Sequence, residues 1–152
     1  MSQAGRRLHS GGMFHDASTE ILDEAECWRL LGESEYGRLA ISIMNRPDVF
    51  PINHVVDSST LVFRTAEGTK LAGAVLGSGV AFEVDGITEH CAWSVVVKGR
   101  AVEIDRPEEL FAALDLSLHP WNTAPKHRYV RIIPDEVTGR RFPVAEEGAV
   151  DQ

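Results

Sequence analysis

From Arg38 to Val102 the chain is largely a succession of short apolar, β-branched runs, each closed by turn residues, and that punctuation argues for antiparallel strands and against a doubly wound sheet. Arg38–Met44 stops at Asn45-Arg46-Pro47-Asp48, where Pro47 is placed to fix a turn. Val49–Val56 returns, with Pro51 marking an edge strand or a bulge near its start. Asp57-Ser58-Ser59 then turns the chain into Leu61–Phe63. Three strands joined by such short turns predict an antiparallel meander. Val80–Asp85 alternates and reads as another strand, and Ala92–Glu103 is the longest candidate. Gly99 inside it predicts the bulge or bend that closure of a small barrel requires. Arg128–Ile133 is a last strand before Pro134, and Val137–Phe142 either extends the sheet or crosses it.

Helices are fewer. Asp23 and Glu26 have capping-box spacing and open a helix with Ala25, Cys27, Trp28, Leu30 and Leu31 on its apolar face, ending at Gly32. Lys70 opens a second, which runs to Leu76 and stops at Gly77-Ser78-Gly79. Pro107 starts a third with Leu110, Phe111 and Leu114 inward, followed by an irregular loop, His119–Pro125, that carries Trp121. The sum is an α+β small-barrel domain of six to seven mostly antiparallel strands with two to three short helices. It occupies residues 16–143, between a disordered lead (1–15) and a frayed tail (144–152). A chain of 152 residues is long enough for one substantial core.

Several function classes are excluded by composition. A net charge of −8 opposes broad nucleic-acid binding, which needs a basic face. No run approaches the ~20 apolar residues of a membrane span, and the N-terminus lacks an apolar signal region. Cys27 and Cys91 stand apart with no paired metal or redox spacing, so a cytoplasmic protein with reduced thiols is expected. The six histidines show no metal-ligand spacing, and no nucleophile elbow surrounds any serine. No catalytic residue is assigned and no metal is expected. A structural role is the default for His54, and core packing is the default for Trp93 and Trp121, although two indoles bordering loops can also wall a planar ligand.

One stretch carries chemistry. In Leu61–Leu71 a short buried strand ends at Arg64, Glu67-Gly68 breaks it, and Lys70 opens a helix. Arg64, Thr65, Thr69 and Lys70 thereby gather a guanidinium, two hydroxyls and an ammonium where a strand gives way to a helix start, and a phosphate is the natural guest. The alternative is a strand, a turn and a helix whose Arg and Lys face water. The spacing is not that of an ATP- or GTP-binding loop.

Arg64-Thr65, Gly68 and Lys70, followed by Phe82-Glu83-Val84-Asp85 and Trp93-Ser94-Val95-Val96-Val97-Lys98-Gly99, resemble the pyridoxamine 5′-phosphate oxidase-like flavoproteins with the FMN-binding split β-barrel, in particular their actinobacterial-type members. Gly37-Arg38-Leu39-Ala40 and Pro120-Trp121 belong to the same pattern, and the resemblance spans about Asp23 to Phe142. It implies a homodimer with FMN, or a deazaflavin relative, in a cleft between subunits. Arg64, Thr65, Thr69 and Lys70 would hold the phosphate, the strand containing Asn53, His54 and Val55 would run along the flavin ring, and Trp93 and Ser94 would approach from the partner subunit. An oxidoreductase that passes hydride through the flavin to a small-molecule substrate is the function implied; a non-catalytic protein that binds flavin, deazaflavin or haem on the same fold is the alternative. The oxidases proper carry Arg-x-Val-Leu-Leu-Lys where this chain has Val-Phe-Pro-Ile-Asn-His at Val49–His54, so oxidation of the vitamin itself is not implied.

Overall fold

A computed structural model describes residues 18–66, 69–104 and 127–144, without the side chains of Lys70 and His127. The expected lead, the helix from Pro107, the loop at 119–125 and nearly all of the tail lie outside the described residues. Within them the elements are β1 (Glu20–Ile21), α1 (Glu24–Glu33), β2 (Tyr36–Ile43), β3 (Arg46–Asn53), β4 (Val55–Val56), β5 (Leu61–Ala66), α2 (Lys70–Val75), β6 (Gly79–Ile87), β7 (Cys91–Glu103) and β8 (His127–Pro143). All strand pairs are antiparallel and join one sheet in the order β3-β2-β6-β7-β8-β5-β4, with β1 against β8.

This sheet is curled. Ile52 near one edge, Phe82 and Val95 in the middle, and Leu61 and Phe63 toward the other edge all enter the same apolar cluster. A flat sheet of this order cannot bring its two ends onto one core, so closure into a split β-barrel is what buries them. Alternation assigns the inward face: Leu39 and Ile41 on β2, Val80, Phe82 and Val84 on β6, and Val95, Val97 and Ala101 on β7 are buried.

α1 caps the barrel. The Asp23 carboxylate accepts the Glu26 N–H at 2.9 Å, as the capping-box spacing predicts, and Cys27, Leu30 and Leu31 face the core. Ser34 at the C-cap turns the chain out one residue beyond Glu33.

Three expectations are corrected. The hairpin between β2 and β3 turns on Met44-Asn45, both at positive φ (52° and 66°), and Pro47 sits inside β3 opposite Ser42. A two-residue turn with both φ positive matches the twist of its strands, and a proline is tolerated because β3 is an edge. The meander is also broken: β3 pairs β2 at one edge of the sheet, whereas β4 pairs β5 at the opposite edge. The expected strand Val49–Val56 is thus two strands with His54 as the corner between them. Finally, β8 continues through Pro134 as one strand, accommodated by a register shift opposite Lys98/Gly99. A Cβ at Gly99 would run into the Ile133 carbonyl, so the glycine lets the two backbones close at the bulge. Val144, the first residue of the expected tail, donates its N–H to the His90 carbonyl at 3.0 Å.

Candidate functional site

β5 presents opposite chemistries on its two faces. Leu61 and Phe63 join the main core, and Thr65, on the same side, is buried. Val62 and Arg64 point the other way, because successive side chains of a strand alternate. Arg64 stands in register with Tyr129 of β8, and its Nη1 donates to the phenol oxygen at 3.4 Å. Tyr129 and Val62 are buried in a second, smaller apolar cluster, flanked by Val55 of β4 and by Ile104. Arg131 lies opposite Val62 on this face, and its guanidinium is held by Asp57 at 2.9 Å and Thr60 at 2.7 Å. The outer face of β4-β5-β8 therefore carries a small apolar floor, in which Val62 and Tyr129 are covered and Val55 is half-buried, with the Arg64 guanidinium at its side.

The turn after β5 is built by its own hydroxyls. Thr69 N-caps α2: its Oγ1 donates to the Ala66 carbonyl at 2.8 Å and accepts the Ala72 N–H at 3.1 Å. Its single proton being used, the 3.1 Å contact between the two threonine hydroxyls is donated by Thr65. Thr65 and Thr69 thus meet each other, on the opposite side of β5 from Arg64. The Lys70 backbone opens α2; its side chain lies outside the described residues.

Asn53 ends β3, and His54 follows at the corner. The His54 ring is 4% exposed, stands edge-on to Phe82 with centroids 4.8 Å apart, and places Nε2 2.9 Å from the Leu31 carbonyl. Its backbone N–H bonds the Glu35 carbonyl at 3.2 Å. Burial holds the imidazole below its ordinary pKa, with the Leu31 bond a smaller opposing effect. The neutral ring therefore donates from Nε2, while Nδ1 is buried with no hydrogen-bond partner. The side chain belongs to the core between α1 and β6; Val55, the next residue, is the one that reaches the outer floor.

Trp93 and Ser94 lie elsewhere. The Trp93 indole covers Gly86, its partner on β6, so closely that a Cβ there would be 2.6 Å from the ring. Ser94, on the other face of β7, stands opposite Asp85 and Arg140. Trp93 pairs with Arg141 of β8 and Arg64 with Tyr129 of β8, so the two groups sit twelve residues apart on that strand (141 − 129). Along a fully extended strand this path is at most about 40 Å, and the curl and bulge of β8 shorten it in space.

A polar constellation beside Ser94 was not foreseen. Arg38 of β2 reaches across to Glu83 at 2.8 Å and to Asp85 at 2.6 Å. Burial, and then the bond with Asp85, push the Glu83 carboxyl above its ordinary range against the pull of Arg38. The legible signal was charge at alternate positions of β6, Glu83 and Asp85, and the single charge Arg38 in β2. Their pairing, Arg38 opposite Glu83, is set only by the sheet register.

The antiparallel split barrel defines the class. The family profile described as pyridoxamine 5′-phosphate oxidase matches residues 23–141, and the chain belongs to that family. An FAD binding protein from Mycobacterium smegmatis is 40% identical, with a TM-score of 0.75 over 83% of this chain and 100% of that one. A conserved protein of unknown function from Corynebacterium diphtheriae is 37% identical, with a TM-score of 0.69 over 82% of this chain and 98% of that one. An uncharacterised protein of Mycobacterium tuberculosis is 35% identical over 128 residues, covering 80% of this chain and 84% of the relative.

Proposed function

We propose that this protein binds a flavin nucleotide, with the phosphate end at Arg64 and Lys70, and acts as an oxidoreductase on a small-molecule substrate. The observation that carries the reading is the Arg64 guanidinium on the outer face of β5, the face to which the half-buried Val55 of β4 also turns. A planar ring needs apolar contacts, and its phosphate needs a directed cation; Val55 and the Arg64 guanidinium share one face. The Mycobacterium smegmatis relative is an FAD binding protein, which supports FAD as the nucleotide where the sequence pattern suggested FMN. A bound flavin supplies the hydride chemistry at its own ring. The chain's share is to orient the ring and to hold the phosphate, with His54 turned into the core and so not a proton donor at the floor.

The reading includes a homodimer. Trp93 and Ser94 lie well along β8 from the partner of Arg64, and in this reading a second copy supplies them. No helix among the described residues is long and apolar enough to cross a membrane, and Cys27 and Cys91 are free thiols, in keeping with a reducing cytoplasmic setting. The mass and absorbance of the ligand that co-purifies test the nucleotide, and anaerobic reduction by a nicotinamide donor tests the reaction. A chain that shows no affinity for FMN or FAD would defeat the proposal; flavin bound but inert to every donor would reduce it to a binding protein. Light scattering that returns a flavin-loaded mass of 16.7 kDa would defeat the dimer.

A further inference from the structure

We infer that Tyr129 is a positioning residue for Arg64, setting the direction from which the guanidinium meets the ligand phosphate. The inference rests on the flavin-nucleotide reading above and adds a residue that no sequence pattern singled out. Arg64 and Tyr129 are register partners on β5 and β8, and the guanidinium donates from Nη1 to the phenol oxygen at 3.4 Å.

The phenol is a fixed point. Tyr129 is 6% exposed and packs with Val62, Val55 and Ile104, so its ring cannot follow the arginine. A long arginine side chain left to itself samples many rotamers, and a ligand must then freeze them at its own cost in affinity. With Nη1 anchored, the planar fork is oriented before the phosphate arrives. Arg131, on the same face, has a different anchor: Asp57 and Thr60 tie it to the turn between β4 and β5. The two arginines have separate anchors, the phenol oxygen for Arg64 and Asp57 with Thr60 for Arg131.

The test uses the full-length chain stripped of bound flavin and titrated with FMN, FAD and riboflavin. Tyr129→Phe keeps the ring and its packing. Loss of one neutral-acceptor hydrogen bond predicts affinity for FMN and FAD about 3- to 10-fold weaker, with riboflavin unchanged within about two-fold. In an Arg64→Ala or Arg64→Lys background, the same change should weaken nucleotide binding much less than in wild type, because the group it orients is gone or altered. Unchanged FMN and FAD affinity in Tyr129→Phe would overturn the inference. So would a loss shared equally by riboflavin, which marks a merely structural role, or full additivity with the Arg64 variants. Equal wild-type affinity for FMN, FAD and riboflavin is a separate result: it overturns the phosphate reading itself, and this inference with it.

Discussion

His54 Nε2 lies 2.9 Å from the Leu31 carbonyl, which ties the corner between β3 and β4 to the last turn of α1. At that corner the chain leaves one edge of the sheet and joins the other, so the bond spans the seam where the barrel is split. The backbone bond from His54 to Glu35 fastens the same corner a second time.

Acid should loosen this seam. Burial depresses the His54 pKa in the folded state, so between that value and the ordinary ~6.5 the unfolded chain binds a proton that the native chain does not. Stability is therefore complete above about pH 7 and falls as pH drops below about 6.5. Glu83 acts with the opposite sign, since its raised carboxyl pKa weakens the fold as pH rises through it. Glu26, lowered to about 2 by Arg29 and then Arg141, matters only in stronger acid. His54→Gln retains an N–H donor for Leu31 and removes the titration. Thermal midpoints measured from pH 8 to 5 should fall less steeply in the variant than in wild type; parallel curves would remove His54 as the cause.

Arg64→Ala should weaken FMN or FAD binding by roughly tenfold to a hundredfold, the loss of a charge-assisted contact of about 1.5–3 kcal/mol. Lys70→Ala should cost the same or less, since an ammonium lacks the forked geometry. Riboflavin affinity should barely change in either. Fluorescence titration measures all three, and a matched loss of riboflavin binding would mark general destabilisation instead.

Gly86→Ala should displace the indole that covers it. The added Cβ would lie 2.6 Å from the Trp93 ring, and relief of such overpacking costs about 1–3 kcal/mol. A lowered thermal midpoint together with a shifted tryptophan emission is expected. A wild-type emission spectrum at unchanged stability would show that the ring accommodates the methyl group.

Thiol reagents should distinguish the two cysteines. Cys27 is fully buried and burial, with Asp23 and Glu24 adding to it, pushes its thiol up, while Cys91 is only half-buried at the start of β7. Iodoacetamide under native conditions should modify Cys91 and spare Cys27, as read by mass spectrometry of the digest. Cys27→Ser should cost about 1–2 kcal/mol by placing a hydroxyl in the core, whereas Cys91→Ser should be close to neutral. Neither change should abolish flavin reduction in folded protein.

Local chemistry was legible wherever neighbours in sequence decide it. The Asp23 cap, the period of β2, β6 and β7, the bulge at Gly99 and the strand–turn–helix from Leu61 to Val75 all follow from residues within a few positions of one another. Of the candidate site, Arg64 and Val55 were named for different parts of a ligand, and it is the fold that turns both to one face. Thr65 and Thr69 were grouped with Arg64 by proximity alone, and the strand's period of two separates them. His54 stood beside Asn53 in a strand pattern, and nothing nearby shows that its ring turns under Leu31.

What the sequence alone determined is a set of strands, their turns and caps, and one cationic segment, because these depend on local backbone preference and on the alternation of apolar side chains. What only the tertiary structure decided is which strands are neighbours. The same apolar pattern allows Val49–Val56 to be one strand of a meander or two strands at opposite edges, since both bury the same residues. The barrel selects the second, because Ile52 and Phe63 can share a core only if the chain turns at His54 and the sheet closes on itself. Tyr129 opposite Arg64, and Arg38 opposite Glu83, are consequences of that closure: they are set by register between strands distant in sequence, where no local rule applies.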